Sequence, residues 1–417
     1  MPPESGLDDN NNVLFSTIHQ EACHATCSIA SPYPAALFAY KQISTNPMTV
    51  SAAVNDQPGD AKSQADENDL SGLPPVPIPA KITLGDKLFH DKRFSVDGTV
   101  SCANCHDEKQ AFTDGLPVSV GHHGLTGTRN APTVLNAAFN QSQFWDGREP
   151  DLEGQAKQPL INPVEHGLAD HKQVLEIVRS DPDYLATFQT VFEVSGKRLS
   201  IDHVATAIAS FERTLVSGNS AFDRYHFNNQ ADAMTAAQIR GFELFIGQGR
   251  CVSCHTIEQD HALFTDGRFH NIGIGINRIQ QDIPRQTEAF LEAKLKGGQV
   301  DVLVLTDKKS SELGRFAVTD ELSQIGAFKT PTLRNVELTA PYMHDGSLKT
   351  LKKVMVHYNN GGVNKAGEPV NDFLSGGIRP LDLSDPQLDD LVDFMKALTS
   401  SRISPKQVIP APTQAAN

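Results

Sequence analysis

Two short stretches carry residues able to hold a cofactor covalently: Cys102-Ala103-Asn104-Cys105-His106 and Cys251-Val252-Ser253-Cys254-His255. Cys-x-x-Cys-His is the attachment pattern of a c-type haem. The two thiols form thioether bonds to the vinyl groups, and the adjacent imidazole ligates the iron from its proximal side. The spacing sets both sulfurs and the ring on one turn of helix. A single copy could equally be a zinc or redox pair; two copies in one chain point to two haems. Cys23 and Cys27 remain, in Cys23-His24-Ala25-Thr26-Cys27. Their histidine precedes the second cysteine, the wrong order for haem, and a disulfide or two free thiols is a better reading than a metal site.

The surroundings of the two motifs repeat in order. Gly85-x-x-Leu88-Phe89 precedes the first motif and Gly241-x-x-Leu244-Phe245 the second. Phe112-Thr113-Asp114-Gly115 follows the first and Phe264-Thr265-Asp266-Gly267 the second. Pro132-Thr133 leads to Asn136 and Pro331-Thr332 to Asn335, and nine residues beyond each Asn come Trp145-Asp146-Gly147 and His344-Asp345-Gly346. Two cytochrome c-like haem domains related by duplication account for the pattern.

Both halves supply a proximal histidine, so the difference in chemistry must lie on the distal faces. Fourteen residues beyond Trp145 is Pro159, which cannot ligate iron; fourteen beyond His344 is Tyr358, which can. Tyr358 follows Leu351, Val354 and Met355 at i, i+3, i+4, i+7, the stripe a helix buries. His357 is rotated by about 100° from it; Met355 and His357 are the alternatives to Tyr358 as ligand. The first haem then has a distal side without a permanent strong ligand, open to peroxide. Gln155, Pro159 and Glu165 lie on or after a helix expected to start near Glu149. A carboxylate there could take the first proton of hydrogen peroxide and return it to the leaving oxygen, work that contributes roughly 10²–10⁴-fold in rate. Glu165 suits that role, with Gln155 holding peroxide or a water. Trp145, the single tryptophan, is either a core anchor or an oxidisable relay between the haems.

These residues need helices to position them. Thr83, Ser200, Thr235 and Ser384 read as caps of helices carrying Leu84 and Leu88, Val204 to Leu215, Ile239 to Phe245, and Leu388 to Met395. Few stretches alternate at period two, so the fold is expected to be all-α with long loops. Residues 1–79 read as a largely disordered tail and Pro-rich linker, with a short helix near Pro34 to Gln42. Residues 80–217 form the N-terminal haem domain, 218–400 the C-terminal one, with the join near Ser217-Gly218-Asn219-Ser220, and 401–417 a second tail. Residues 275 to 325 are charged and irregular and read as a surface excursion.

The chain has 417 residues, 39% of them hydrophobic, with 21 Phe, enough for two or three domains with a real core. A net charge of −14 argues against nucleic acid and for a basic or neutral partner. No run approaches the about 20 apolar residues of a membrane span. Residues 1 to 20 lack a signal peptide's charged and apolar regions. Because bacteria attach haem covalently outside the cytoplasm, a periplasmic location is expected, with the signal removed or replaced or the start misassigned.

Between residues 80 and 400 the chain resembles the bacterial dihaem cytochrome c peroxidases and the MauG enzymes. The resemblance rests on Arg129-Asn130-Ala131-Pro132-Thr133-Val134-Leu135-Asn136, Phe144-Trp145-Asp146-Gly147-Arg148, Gln155-Ala156-Lys157 and Asn162-Pro163-Val164-Glu165. It continues through Pro331-Thr332-Leu333-Arg334-Asn335 and Leu338-Thr339-Ala340-Pro341-Tyr342-Met343-His344-Asp345-Gly346. It implies a peroxidatic N-terminal haem served by Glu165 and Gln155, Trp145 between the haems, and a C-terminal haem that accepts electrons from a small cytochrome c or cupredoxin. It implies a loop histidine that ligates the N-terminal iron in the oxidised state: Val118-Ser119-Val120-Gly121-His122 matches that loop, with His123 a close competitor. Reduction of the second haem would release this ligand. A calcium ion would sit on the Asn130 side chain and the carbonyls of Thr339 and Pro341, oxygen donors suited to a hard cation. Members of the family often form homodimers.

Tyr358 stands where many peroxidases have methionine and the MauG branch has tyrosine, whereas His122 belongs to the peroxidase side, so the sequence looks like a hybrid. Three functions follow: a peroxidase reducing hydrogen peroxide to water with electrons from a small redox protein; a MauG-like oxidase that stores two oxidising equivalents and modifies a partner protein; and a dihaem electron carrier without catalysis.

Overall fold

The structure, a computed structural model, describes residues 79–401. Cys23, Cys27, the tails and the short helix expected near Pro34 lie outside the described residues. The longer helices are α1 (Pro79–Phe89), α2 (Leu152–Ile161), α3 (Lys172–Ser180), α4 (Pro182–Phe192) and α5 (Ile201–Glu212) in the first half. They are followed by α6 (Ala236–Ile246), α7 (Ile283–Leu295), α8 (Val300–Thr306), α9 (Leu351–Asn359) and α10 (Asp385–Lys396). Among the described residues the only sheet is β1 (Phe269–His270) paired antiparallel with β2 (Phe328–Lys329), with Phe269 opposite Lys329. The protein is therefore mostly helical, with long loops. Among the described residues no helix is long and apolar enough to cross a membrane.

Ser200, Thr235 and Ser384 head α5, α6 and α10, each in a reciprocal capping box, and Gly247 ends α6. Thr83 is not a cap. α1 begins at Pro79, whose fixed φ suits a first helical turn, and the Thr83 hydroxyl donates to the Pro79 carbonyl inside the helix. The helix expected near Glu149 begins at Leu152, because the Asp151 carboxylate accepts the Gly154 amide at 2.7 Å and sets the cap there.

The repeated sequence landmarks make repeated contacts. α1 crosses α5 at Gly85, where a β-carbon would run into the Ala207 carbonyl; α6 crosses α10 at Gly241, where it would run into the Asp390 carbonyl. Beside the crossings, the Phe89 and Phe211 rings lie 5.2 Å apart and the Phe245 and Phe394 rings 5.0 Å. Asn136 and Asn335 both take left-handed φ, +62° and +60°, and accept the Ser217 and Ser400 amides at 2.9 and 2.8 Å. Thr133 donates to the Ala111 carbonyl and Thr332 to that of Leu263.

One apolar cluster runs from Leu84 to Leu215 and a second from Phe222 to Leu398. A third corrects the sequence reading of residues 275 to 325. That segment is not an irregular surface excursion: α7, α8 and short helices around them bury Ile276, Ile283, Phe290, Val304, Leu313, Phe316 and Ile325. Most of its charges sit on the outer faces of amphipathic turns, which hides the apolar spacing. Asp301 and Glu312 point back towards the two halves.

Candidate active site

Each Cys-x-x-Cys-His motif folds as one helical turn. Cys102–Cys105 is a single α-turn boxed by Ser101 and Asn104, and Cys251–Ser253 is a 3-10 turn. All four cysteines are free thiols. Nδ1 of His106 lies 3.1 Å from the Phe112 carbonyl and Nδ1 of His255 lies 2.8 Å from that of Phe264. Phe112 and Phe264 take positive φ, +59° and +54°, which turns those carbonyls inward. The Phe-Thr-Asp-Gly repeat is thereby explained. It holds each imidazole by its Nδ1–H, fixes the tautomer and leaves Nε2 bare for a metal. Burial lowers the basicity of both rings, which keeps them neutral and able to ligate.

Both motifs open on one continuous cavity of about 640 Å³. His106 and His255 line it, and so do Trp145, Gln155, Pro159, Glu165, Met355 and Tyr358. Four unpaired thiols, two neutral imidazoles with bare Nε2 atoms and a mostly apolar central hollow fit two covalently bound haems.

The two distal walls differ as their sequences do. In the first half α2 presents Gln155 and Pro159, and the turn after it presents Glu165. One oxygen of Glu165, Oε2, is buried with no hydrogen-bond partner. Burial first, and the nearby Asp301 carboxylate second, push its carboxyl up to about 8 against the pull of Arg148. Arg148 is not free to neutralise it. Its guanidinium donates to Asp301 Oδ1 at 2.8 Å through Nε and to Asp146 at 3.0 Å through one terminal nitrogen, and it stacks on the Phe144 ring at 3.5 Å. Asp146 is shared with Arg129; although burial opposes its charge, the two guanidiniums hold it well below the usual carboxylate range.

In the second half α9, capped by Thr350, presents Met355 and Tyr358 to the cavity. The phenol has no protein hydrogen bond among the described residues, and burial near Cys251 and Cys254 raises its pKa. His357 points elsewhere: its Nε2 meets the Ile272 carbonyl at 2.8 Å and it is off the cavity wall.

Trp145 lines the shared cavity and donates its indole N–H to the Asn130 carbonyl at 2.9 Å. Asn130, Thr339 and Pro341 lie on the same wall, and the Asn130 amide nitrogen donates to the Leu116 carbonyl at 2.8 Å. His122 is not on the wall. Its ring is buried behind it, with Nε2 2.9 Å from the Pro163 carbonyl, and the His123 side chain is exposed beside Asp97. In this arrangement neither loop histidine reaches the cavity.

Sequence reasoning missed the residues around Glu165. Arg129, Asp146 and Arg148 stand inside motifs whose spacing assigns them no role, and Asp301 lies in a segment that reads as irregular in sequence. It also missed Glu212 at the end of α5 and Lys329 in β2. Both line the cavity, and burial pushes the Glu212 carboxyl up to about 8 and the Lys329 amine down to about 8. Glu212 is followed directly by Arg213 and reads as half of an ordinary charged pair, so nothing local marks it.

Residues 79–232 match the family described as di-haem cytochrome c peroxidase. Cytochrome-c peroxidase IdrP1 of Denitromonas iodatirespirans is 34% identical over 363 residues, covering 84% of this chain and 90% of that protein. Methylamine utilization protein MauG of Methylorubrum extorquens is 35% identical over 320 residues, covering 77% of this chain and 78% of its own length. Among solved structures, a MauG-like protein associated with microbial copper homeostasis matches with a TM-score of 0.63 at 30% identity, over 84% of this chain and 98% of that one.

Proposed function

We infer the reaction from one premise, that this chain belongs to the di-haem cytochrome c peroxidase family. Membership makes it an oxidoreductase that carries two c-type haems. The reading we propose is the reduction of hydrogen peroxide to water, H₂O₂ + 2e⁻ + 2H⁺ → 2H₂O, with electrons from a small cytochrome c or cupredoxin. The bound haems supply the redox chemistry. Cys102, Cys105 and His106 would hold the first, and Cys251, Cys254 and His255 the second.

The observation that carries this reading is the Glu165 carboxyl, which lines the cavity together with Gln155, Pro159, Arg148 and His166 of the first half and keeps one buried oxygen unpartnered. Once ionised, its unpartnered oxygen can accept a proton of peroxide, and the same group can return that proton to the departing oxygen. Gln155 would orient the peroxide by hydrogen bonding. Trp145, on the wall shared by both motifs, would relay electrons from the second haem to the first. Tyr358 would occupy the second iron permanently, and His122 would be the ligand that the first iron has released. Asn130 with the Thr339 and Pro341 carbonyls would hold calcium. We read the shared contacts of the two halves as a duplication joined near residues 217–220, and the covalent haems as placing the protein in the periplasm.

The test is Glu165→Gln in protein with full haem content: peroxide turnover should fall by about 10²–10⁴-fold, and unchanged turnover would remove the carboxyl from the reaction.

A second reading, a MauG-like oxidase acting on a partner protein, is favoured by one observation, the phenol of Tyr358 on the second distal wall. Phenolate is a harder, anionic donor than methionine and should give a lower potential. Peroxide added without any donor separates the two. Long retention of both oxidising equivalents supports the oxidase, and rapid loss with damage to the protein supports the peroxidase.

A further inference from the structure

Behind the first distal wall, Asp97, His122 and His123 come together, each offering one ligand atom within 4.8 Å of the others. His122 is 8% exposed. Its Nε2 lies 2.9 Å from the Pro163 carbonyl and so must carry the hydrogen, which leaves Nδ1 as a bare lone pair. That Nδ1 is buried and has no hydrogen-bond partner. An imidazole held through one N–H by a backbone carbonyl, with the other nitrogen bare, is how proteins present histidine to a metal ion.

The other two groups complete a donor set. Asp97 Oδ2 sits 3.3 Å from His123 Nδ1 and accepts the His123 amide at 2.9 Å. Asp97 Oδ1 is fixed by the Thr99 amide and hydroxyl at 3.0 and 2.7 Å. The carboxylate is therefore ionised and oriented, with hydrogen bonds from Thr99 and then His123 lowering its pKa. Two imidazoles and one carboxylate suit a borderline transition-metal ion, not a hard cation. With three protein ligands, the fourth position is left for water.

We propose that Asp97, His122 and His123 bind a divalent transition-metal ion of the zinc class, which pins the His122 ring behind the cavity wall. The metal site stands on the geometry alone. Its effect on the first haem rests on the reading of His122 as that iron's displaceable ligand: a ring clamped through Nδ1 cannot swing to the iron, so the ion would hold the first haem in its accessible form.

The experiment uses the full-length protein with both haems, stripped of transition metals and kept in excess calcium so that hard oxygen sites are filled. Zn²⁺ is titrated in competition with a fluorescent zinc chelator. Wild type should retain one ion per chain that Asp97→Asn and His123→Ala lose, with an affinity drop at least as large as the roughly 10–100-fold that follows loss of an outer-shell partner. Absorption at the zinc edge of the wild-type protein should show two imidazoles. His123 is exposed, so its replacement removes no core packing. Equal retention by all three proteins, no retention by wild type, or a zinc shell without imidazole overturns the site. In the same samples, Zn²⁺ should raise the high-spin fraction of the oxidised first haem in wild type only. If zinc binds through imidazole and the spin state does not move, the clamp on His122 is overturned while the metal site stands.

Discussion

Arg148 donates its Nε–H to Oδ1 of Asp301 at 2.8 Å, so the helical segment 275–325 sets a charge against a residue of the first distal wall. The contact decides what Glu165 can be. The guanidinium closest to it is already committed to Asp301 and Asp146. A carboxyl that meets no free cation and is buried stays protonated well above its ordinary range.

The consequence for rate has a definite sign. Glu165 must be ionised to take a proton from peroxide, and its carboxyl is pushed up to about 8. Peroxide reduction should therefore rise as pH climbs towards 8 and level off above it. Asp301→Asn removes a neighbouring negative charge and frees Arg148, so the rising limb should move to lower pH while the plateau persists. A pH–rate profile of the two proteins measures this; coincident profiles would mean that Asp301 does not act on Glu165.

Tyr358 should set the potential of the second haem. Replacing it by Met exchanges an anionic oxygen donor for a thioether, which favours the reduced iron. Spectroelectrochemical titration of Tyr358→Met should give a higher midpoint for that haem than wild type, and Tyr358→Phe should leave the iron open to added cyanide.

Gly85 and Gly241 should be intolerant of a methyl group for a purely steric reason. Each meets a backbone carbonyl of the partner helix where a β-carbon would stand. Neither has positive φ, so alanine carries no conformational penalty of its own. Each Gly→Ala should cost about 1–3 kcal/mol or more through overpacking. The two sites lie in different cores, so the double variant should show the sum. Denaturant unfolding of the holoprotein provides the comparison.

Arg334 and Asp223 form a two-pronged pair, both contacts 2.6 Å, with neither side chain exposed. The corresponding position in the first half is Leu135, also buried. Asp223→Ala should destabilise by roughly 3–5 kcal/mol, because it strands a buried guanidinium. The double replacement Arg334→Leu with Asp223→Leu should recover most of that loss, and thermal unfolding of the single and double variants tests both statements.

What could be read in the sequence was what physical chemistry ties to neighbouring residues. The haem motifs, the caps at Ser200, Thr235 and Ser384, and the stripe that brings Met355 and Tyr358 to the cavity wall follow from spacing, although His357, off that stripe, is the more deeply buried ring. The Gly-x-x-Leu-Phe and Phe-Thr-Asp-Gly repeats announced themselves, although only the structure gave their reasons: a helix crossing and a carbonyl that fixes the proximal ring. Contacts between distant segments were hidden. Asp301 reaches Arg148 across 153 residues, and nothing local marks it. For His122 the sequence located the loop but not the direction of the ring. Thr83 misled because a proline four residues earlier starts the helix first.

The central hollow also favours an order of manufacture. The folded interior pushes the Cys105 and Cys251 thiols up to about 12, and a thiol kept protonated is a poor nucleophile. Thioether formation is therefore easier while the chain is still open, before burial raises the thiols. A chain that folds before its thiols have reacted holds them in their less nucleophilic, protonated form.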